Sequence, residues 1–188
     1  MVLYPNEQTD IGQAPITNTP MLWINSYMQE KLAEYVNIAV PLFPTRPSTI
    51  EDISSVWITI NGSRYPYSGV MGVYDRMFKR RRGPFPHIKC EQLMYYLYAT
   101  ESNVTENMIA STEIIYRLFD NEDESAEDIN TWAASKSINV GGQELENKFY
   151  FHNFKVYQLE EVQDVVNFGT VRTFASSKLI IEYDYHRV

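Results

Sequence analysis

Apolar residues recur along this chain at two spacings, and the switch between them marks out its elements. In residues 21–36 the apolar positions Trp23, Ile24, Tyr27, Met28, Leu32, Tyr35 and Val36 follow steps of three and four, with Lys31 and Glu34 elsewhere. That period predicts an amphipathic helix with one packing face. Thr19 is placed to cap it, and Pro20 suits a first helical position, where its missing N–H costs nothing. Pro41, Pro44 and Pro47 then hold the chain extended around Phe43. Residues 56–60, Val-Trp-Ile-Thr-Ile, read as a strand, and Asn61-Gly62 after it is a turn signal. Residues 65–74 are expected to return as a strand broken by Gly69 and Gly72, and residues 77–84 to form an exposed basic loop.

Residues 88–99 carry the clearest strand pattern. Ile88, Cys90, Met94, Tyr96 and Tyr98 share one face; Lys89, Glu91, Leu93, Tyr95 and Leu97 share the other. Both faces turn apolar toward the end, which predicts a central strand covered on both sides. A turn at 100–105 leads to a second helix over 106–119, with Met108, Ile109, Ile115, Leu118 and Phe119 as its stripe. The acids Asp120, Glu122, Asp123, Glu124, Glu127 and Asp128 follow. Ser125 and Asp128 have the spacing of a capping box, so a short third helix is expected near 126–135. Gly141-Gly142 ends that region. Residues 149–157 form an aromatic strand, 159–172 a loop or twisted hairpin connection, and 179–185 a cleanly alternating last strand. The predicted order is α–β–β–β–α–(α)–β–β. This is an α+β domain over residues 20–188, with a mostly antiparallel sheet packed against two main helices, preceded by an extended arm at 1–19.

Composition narrows the classes of function. At 188 residues the chain has room for one sizeable core. Its 14 Tyr, 9 Phe and 3 Trp suit sheet faces and contact surfaces, because tyrosine joins an apolar ring to a polar tip. A net charge of −8 argues against general nucleic-acid binding, though an acidic lining would let DNA slide past without sticking. Cys90 is the single cysteine, so an intrachain disulfide and a cysteine zinc site are both excluded. No apolar run approaches a membrane span, and residues 1–20 do not have the pattern of a signal peptide.

The motifs of catalysis do not assemble along the sequence. Gly69-Val70-Met71-Gly72 lacks the Lys-Ser/Thr of a phosphate loop. His87, His152 and His186 fall in three different strands and form no His-x-x-x-His pair. Cys90, in an apolar strand, reads as a buried structural thiol. The acidic stretch lacks the glycine and terminal glutamate of a calcium loop and reads as a solvated segment. The competing expectation is a small metal-dependent nuclease using Glu122 and Asp123. The run Lys79, Arg80, Arg81, Arg82, flanked by Phe78 and Phe85, is the one concentrated basic patch and reads as a partner-contact loop.

Taken together, the opening helix, the Pro-rich passage with Trp57 after it, the strand at 88–99, the helix at 106–119 and the closing strands at 149–157 and 177–186 resemble the tail terminator proteins of long-tailed bacteriophages. The resemblance covers residues 20–188 and extends to other neck and tail ring proteins of the same fold. It implies a non-enzymatic structural virion protein, assembled in the host cytoplasm, needing no cofactor or metal. Such proteins form homohexameric rings that cap the tail tube, stop its growth and join the tail to a filled head, with DNA passing through. The partners implied are further copies of the chain, the tail tube protein, the sheath protein and head–tail connector proteins. On that footing Glu122, Asp123, Glu124, Glu160, Glu161 and Asp164 are candidates to face the DNA channel, and Lys79 to Arg82 to touch the tube, the sheath or a neighbouring ring. The alternative in the same class is a head-completion or connector protein of the neck.

Overall fold

The computed structural model describes residues 18–36, 40, 42–43, 57–60, 63–66, 69–99, 102–166 and 173–188. Most of the expected N-terminal arm, most of the Pro-rich passage and the Asn61-Gly62 turn lie outside these residues. The elements run α1 (Pro20–Val36), β1 (Leu42–Phe43), β2 (Trp57–Ile60), β3 (Ser63–Pro66), β4 (Val70–Arg82) and β5 (Phe85–Ala99). A short 3-10 turn (Ser102–Val104) precedes α2 (Thr105–Phe119) and α3 (Glu122–Ala134); β6 (Ser137–Val140), β7 (Gln143–Glu146), β8 (Phe149–Val166) and β9 (Thr173–Arg187) complete the order. This is an α+β fold whose five-stranded sheet, in the order β1-β4-β5-β9-β8, is antiparallel except where β1 meets β4. β2–β3 and β6–β7 form separate two-stranded hairpins.

Alternation along the two central strands builds the core. Leu93, Tyr95, Leu97 and Ala99 of β5 and Leu179, Ile181, Tyr183 and Tyr185 of β9 are all buried on one face. α2 packs across β5, β9 and β8, α3 lies along β8, and α1 rests on both helices. The three helices meet around Tyr27 of α1, whose ring stands edge-on to Trp132 of α3 at 5.3 Å and to Phe119 of α2 at 6.3 Å. Each fully buried Met108, Ile115 or Phe119 of α2 contributes about 1.5–3 kcal/mol relative to its exposed state. Buried Tyr95 donates from Oη to Asn25 Oδ1 of α1 at 2.6 Å, so its polar tip is satisfied. The start of α1 is tied down as its sequence predicts. Leu22 N donates to Thr19 Oγ1 at 3.4 Å, and Trp23 Nε1 donates to Asn18 Oδ1 at 2.8 Å.

Several elements depart from the sequence expectation for identifiable reasons. The basic run is not a loop: Lys79, Arg80, Arg81 and Arg82 belong to β4, and the turn is confined to Gly83-Pro84. β5 begins at Phe85, which gives those residues antiparallel partners and carries the strand three residues beyond the expected start. α3 begins at Glu122, so Ser125 is a buried residue inside the helix and not its cap; its N–H donates to Asn121 O at 2.9 Å. The acids therefore occupy the first turns of a helix, where negative charge is favourable. Ile109 is 43 % exposed and Tyr35 60 % exposed, so both leave the stripes assigned to them. Ser111 and Thr112 take the inward positions of α2 instead, with Thr112 Oγ1 2.6 Å from Ser177 Oγ. β5 is central, but its two faces differ: the helices cover one, while Gln92, Met94 and Tyr98 on the other remain half-buried. Gly141 and Gly142 take φ of 57° and 81°, the pair of positive values that a two-residue hairpin turn needs, and so join β6 to β7. Of the 159–172 region, residues 159–166 are strand and extend β8, which stays paired with β9 as far as Val166 opposite Thr173.

Candidate functional site

The sheet carries buried charge where β4, β5 and β9 lie side by side. Glu91 of β5 is fully buried on the helix-covered face. Tyr183 Oη donates to its Oε2 at 2.6 Å and Tyr185 Oη to its Oε1 at 3.3 Å. Lys79 Nζ lies 3.2 Å and Arg76 Nε 3.6 Å from Oε1. Strict alternation would send Arg76 and Lys79 to opposite faces. The register shift between Arg76 and Phe78 inserts Met77 and brings both cations to Glu91. Burial, then the Glu91 carboxylate, pushes the Tyr183 hydroxyl far above its usual range, so it remains a donor. Burial alone would lower Lys79; its hydrogen bond to Tyr185 and the charge of Glu91 outweigh that and hold it above the usual lysine range.

The remaining basic residues point elsewhere. Arg80 pairs with Cys90 in the strand register and lies over the Phe78 ring at 5.1 Å. Arg81 is exposed and pairs with Lys89 across the hairpin. Arg82 is described by its strand position opposite Phe85. The structure thus keeps Lys79, Arg80, Arg81 and Arg82 on one strand, with Lys79 in an internal ion cluster and Arg80 and Arg81 exposed.

On the acidic side, Glu122, Asp123 and Glu124 are exposed in the first turn of α3. Glu122 reaches Lys155 of β8 at 3.5 Å, and Asn121 Nδ2 donates to Glu124 at 2.9 Å. Glu160, Glu161 and Asp164 follow later on β8, the strand α3 packs against; their side chains lie outside the described residues. Among the described residues, no group of three His, Cys, Asp or Glu stands close enough to hold a metal ion.

Sequence spacing missed the three histidines as a group. β5, β9 and β8 bring them to one end of the sheet, on the face away from the helices. His152 and His186 stack at 4.9 Å, with His152 Nε2 2.8 Å from His186 Nδ1, and His87 meets His186 at 6.5 Å. Tyr150 stands 4.9 Å from His152, and Phe85 6.3 Å from His87. Only the pairing of Tyr150 with His186 across β8 and β9 reveals this, and that register is a tertiary fact. Burial, then the neighbouring His186, lowers the His152 pKa, with Asp184 acting in the opposite sense. Beside them Asp184 is buried and accepts from Asn153 Nδ2 at 2.8 Å. Cys90 is fully buried, and burial followed by its contact with Asp184 pushes its thiol up to about 11, which leaves it protonated at neutral pH.

An open groove of about 1180 Å³ runs between the end of α3, the β6–β7 hairpin and the start of β8, lined by Asn18, Asn130, Lys136, Glu144, Lys148 and Tyr150 among others. No protein-family model matches this chain, and neither does any curated protein sequence. Fold and surface together describe an α+β domain with one sheet face under helices, the other lined with tyrosine and histidine, and charge of opposite sign on its two flanks.

Proposed function

We propose that this chain is a structural virion subunit that forms a ring at the head-proximal end of a phage tail. The ring ends growth of the tail tube and joins the tail to the head or neck, with DNA passing through it, and it performs no catalysis. The observation that carries this reading is the aromatic sheet face away from the helices. Tyr150 and Tyr157 are each 45 % exposed there, beside half-buried Met94 and Tyr98 and buried Tyr96 and Ile180. Aromatic side chains held on a rigid sheet supply contact area at little conformational cost, as a subunit bound on several sides requires. The α+β order that resembles tail terminators in sequence fits the same role. Among the described residues, no helix is long and apolar enough to cross a membrane, which is compatible with a virion component.

Electron microscopy of particles lacking this protein tests the proposal. Loss of a terminator leaves over-long tails without heads. Unattached tails of normal length would move the protein to a head-side connector of the neck, and normal complete particles would refute a role in tail completion.

A further inference from the structure

The two flanks of the sheet carry opposite charge, and their placement identifies a partner. β1 pairs with β4 only at Gly72 and Val73, so no described strand covers the outer edge of β4 from Tyr74 to Arg82. Exposed Arg76, Lys79, Arg80 and Arg81 stand on that run, with one acid, Asp75, among them, and Met77 is 47 % exposed. At the far flank α3 packs on β8 and presents Glu122, Asp123, Glu124, Glu127 and Asp128 to solvent. In the order β1-β4-β5-β9-β8, β4 and β8 lie three strand spacings apart, about 14 Å. One rigid sheet therefore bears a basic edge and an acidic edge on opposite sides.

We propose that the basic edge of β4 on one copy docks against the acidic first turns of α3 on the next copy, head to tail. This deepens the ring assignment above and rests on it. Like edges repel, so a face-to-face dimer through either flank is disfavoured. Unlike edges attract, and a contact between two different patches repeats around a closed ring or along a filament. A nucleic acid is the poorer occupant. It would lie beside a chain of net charge −8, with Glu91 already neutralising part of the cation set. A second copy brings five exposed acids on one helix to a strand bearing four exposed cations.

The test uses the full chain in analytical ultracentrifugation at about 50 mM and about 500 mM salt, where the Debye length falls severalfold. Arg80→Glu with Arg81→Glu takes the exposed β4 run from +3 (four cations, one acid) to −1; Glu124→Lys with Glu127→Lys takes the α3 acids from −5 to −1, so each pair removes most of the attraction on one side. None of these residues contacts Glu91. We expect the native chain to self-associate at low salt and to weaken more than about tenfold at high salt. Each double variant alone should stay monomeric with a native circular dichroism spectrum. A one-to-one mixture of the two should reassemble as pairs, the unchanged β4 edge of the second variant meeting the unchanged α3 of the first, whereas the chain carrying all four substitutions should stay monomeric. A native chain that is monomeric at low salt overturns the contact, and so does a mixture of folded variants that fails to reassemble. An oligomer indifferent to salt and to both reversals overturns it too, while leaving the ring assignment standing. Charge-dependent assembly by a protein whose loss leaves particles complete would do the opposite.

Discussion

Replacing Glu91 by leucine tests whether the ion cluster holds the fold or merely decorates it. The substitution removes the acceptor of the Tyr183 hydroxyl, a group with no access to water. An orphaned buried hydroxyl costs about 1–3 kcal/mol. Arg76 and Lys79 keep 38 % and 40 % of their side-chain surface exposed and can turn to solvent, so their two pairs add at most about 1 kcal/mol together. The expected loss is therefore about 1–4 kcal/mol, a large part of the roughly 5–15 kcal/mol that stabilises an ordinary domain. For a chain of this size that corresponds to a Tm lowered by roughly 2–16 °C. Glu91→Gln keeps an acceptor within reach of Tyr183 and should cost about half as much. Urea unfolding followed by circular dichroism measures each variant, with a constant m-value confirming that only stability has changed. Tyr183→Phe removes the hydroxyl that Glu91→Leu would orphan. The double variant should then recover at least about 1 kcal/mol relative to the sum of the singles. Additivity of the two within about 0.5 kcal/mol would refute the cluster as a coupled unit.

Two further predictions follow from the edge of β8 and from the histidines. Asn130 donates from Nδ2 to Phe151 O and accepts from Phe151 N through Oδ1, both at 2.9 Å, standing in for a neighbouring strand at the sheet edge; Asn130→Ala should lose about 1–2 kcal/mol in urea unfolding and aggregate faster, since it reopens a strand edge. The folded His152 pKa lies below that of an unfolded imidazole, so the unfolded state takes up the extra proton and stability falls as pH drops through about 6.5, levelling off below the folded value. His152→Gln should flatten that part of the stability profile between about pH 7.5 and 5.5, and an unchanged slope would show that the His152–His186 contact is not proton-linked.

The helices and long strands were legible because their signals are local. Thr19-Pro20 with the apolar steps after it located α1, and alternation from residue 88 to 99 located the centre of the sheet. The failures share one cause, the dependence of local structure on a distant partner. Lys79 to Arg82 look like a loop tip until β5 pairs with them and Glu91 draws Lys79 inward. Ser125 has the spacing of a cap, but Asn121 ends the preceding turn first and packing of α3 on β8 buries the serine. Gly141-Gly142 did carry a hairpin signal, and only the short strands on either side hid it. For the candidate site, residue types were readable but their grouping was not. The basic run divides between the core and the surface, and three histidines at least 34 residues apart in sequence converge through sheet register.

Both buried acids of the sheet depend on an irregularity in a flanking strand. Glu91 and Asp184 sit one register step apart on the adjacent central strands β5 and β9, and their side chains enter opposite faces. A regular sheet would surround each with alternating neighbours fixed by the pleat. Instead β4 carries its bulge at Met77, between the pairs Arg76–Leu93 and Phe78–Gln92 and so close to Glu91, and β8 carries one beginning at Asn153, next to the His152–Asp184 pair. The first delivers Arg76 and Lys79 to Glu91. The second puts Asn153 at φ 49°, a conformation that asparagine tolerates better than most residues, and aims its amide at Asp184. Each extra residue thus supplies the polar partner without which the neighbouring acid would be an unpaired buried group. It follows that the cations of β4 are not interchangeable. Loss of Arg76 or Lys79 acts first on stability through Glu91, whereas loss of Arg80 or Arg81 acts on the surface that the next copy meets.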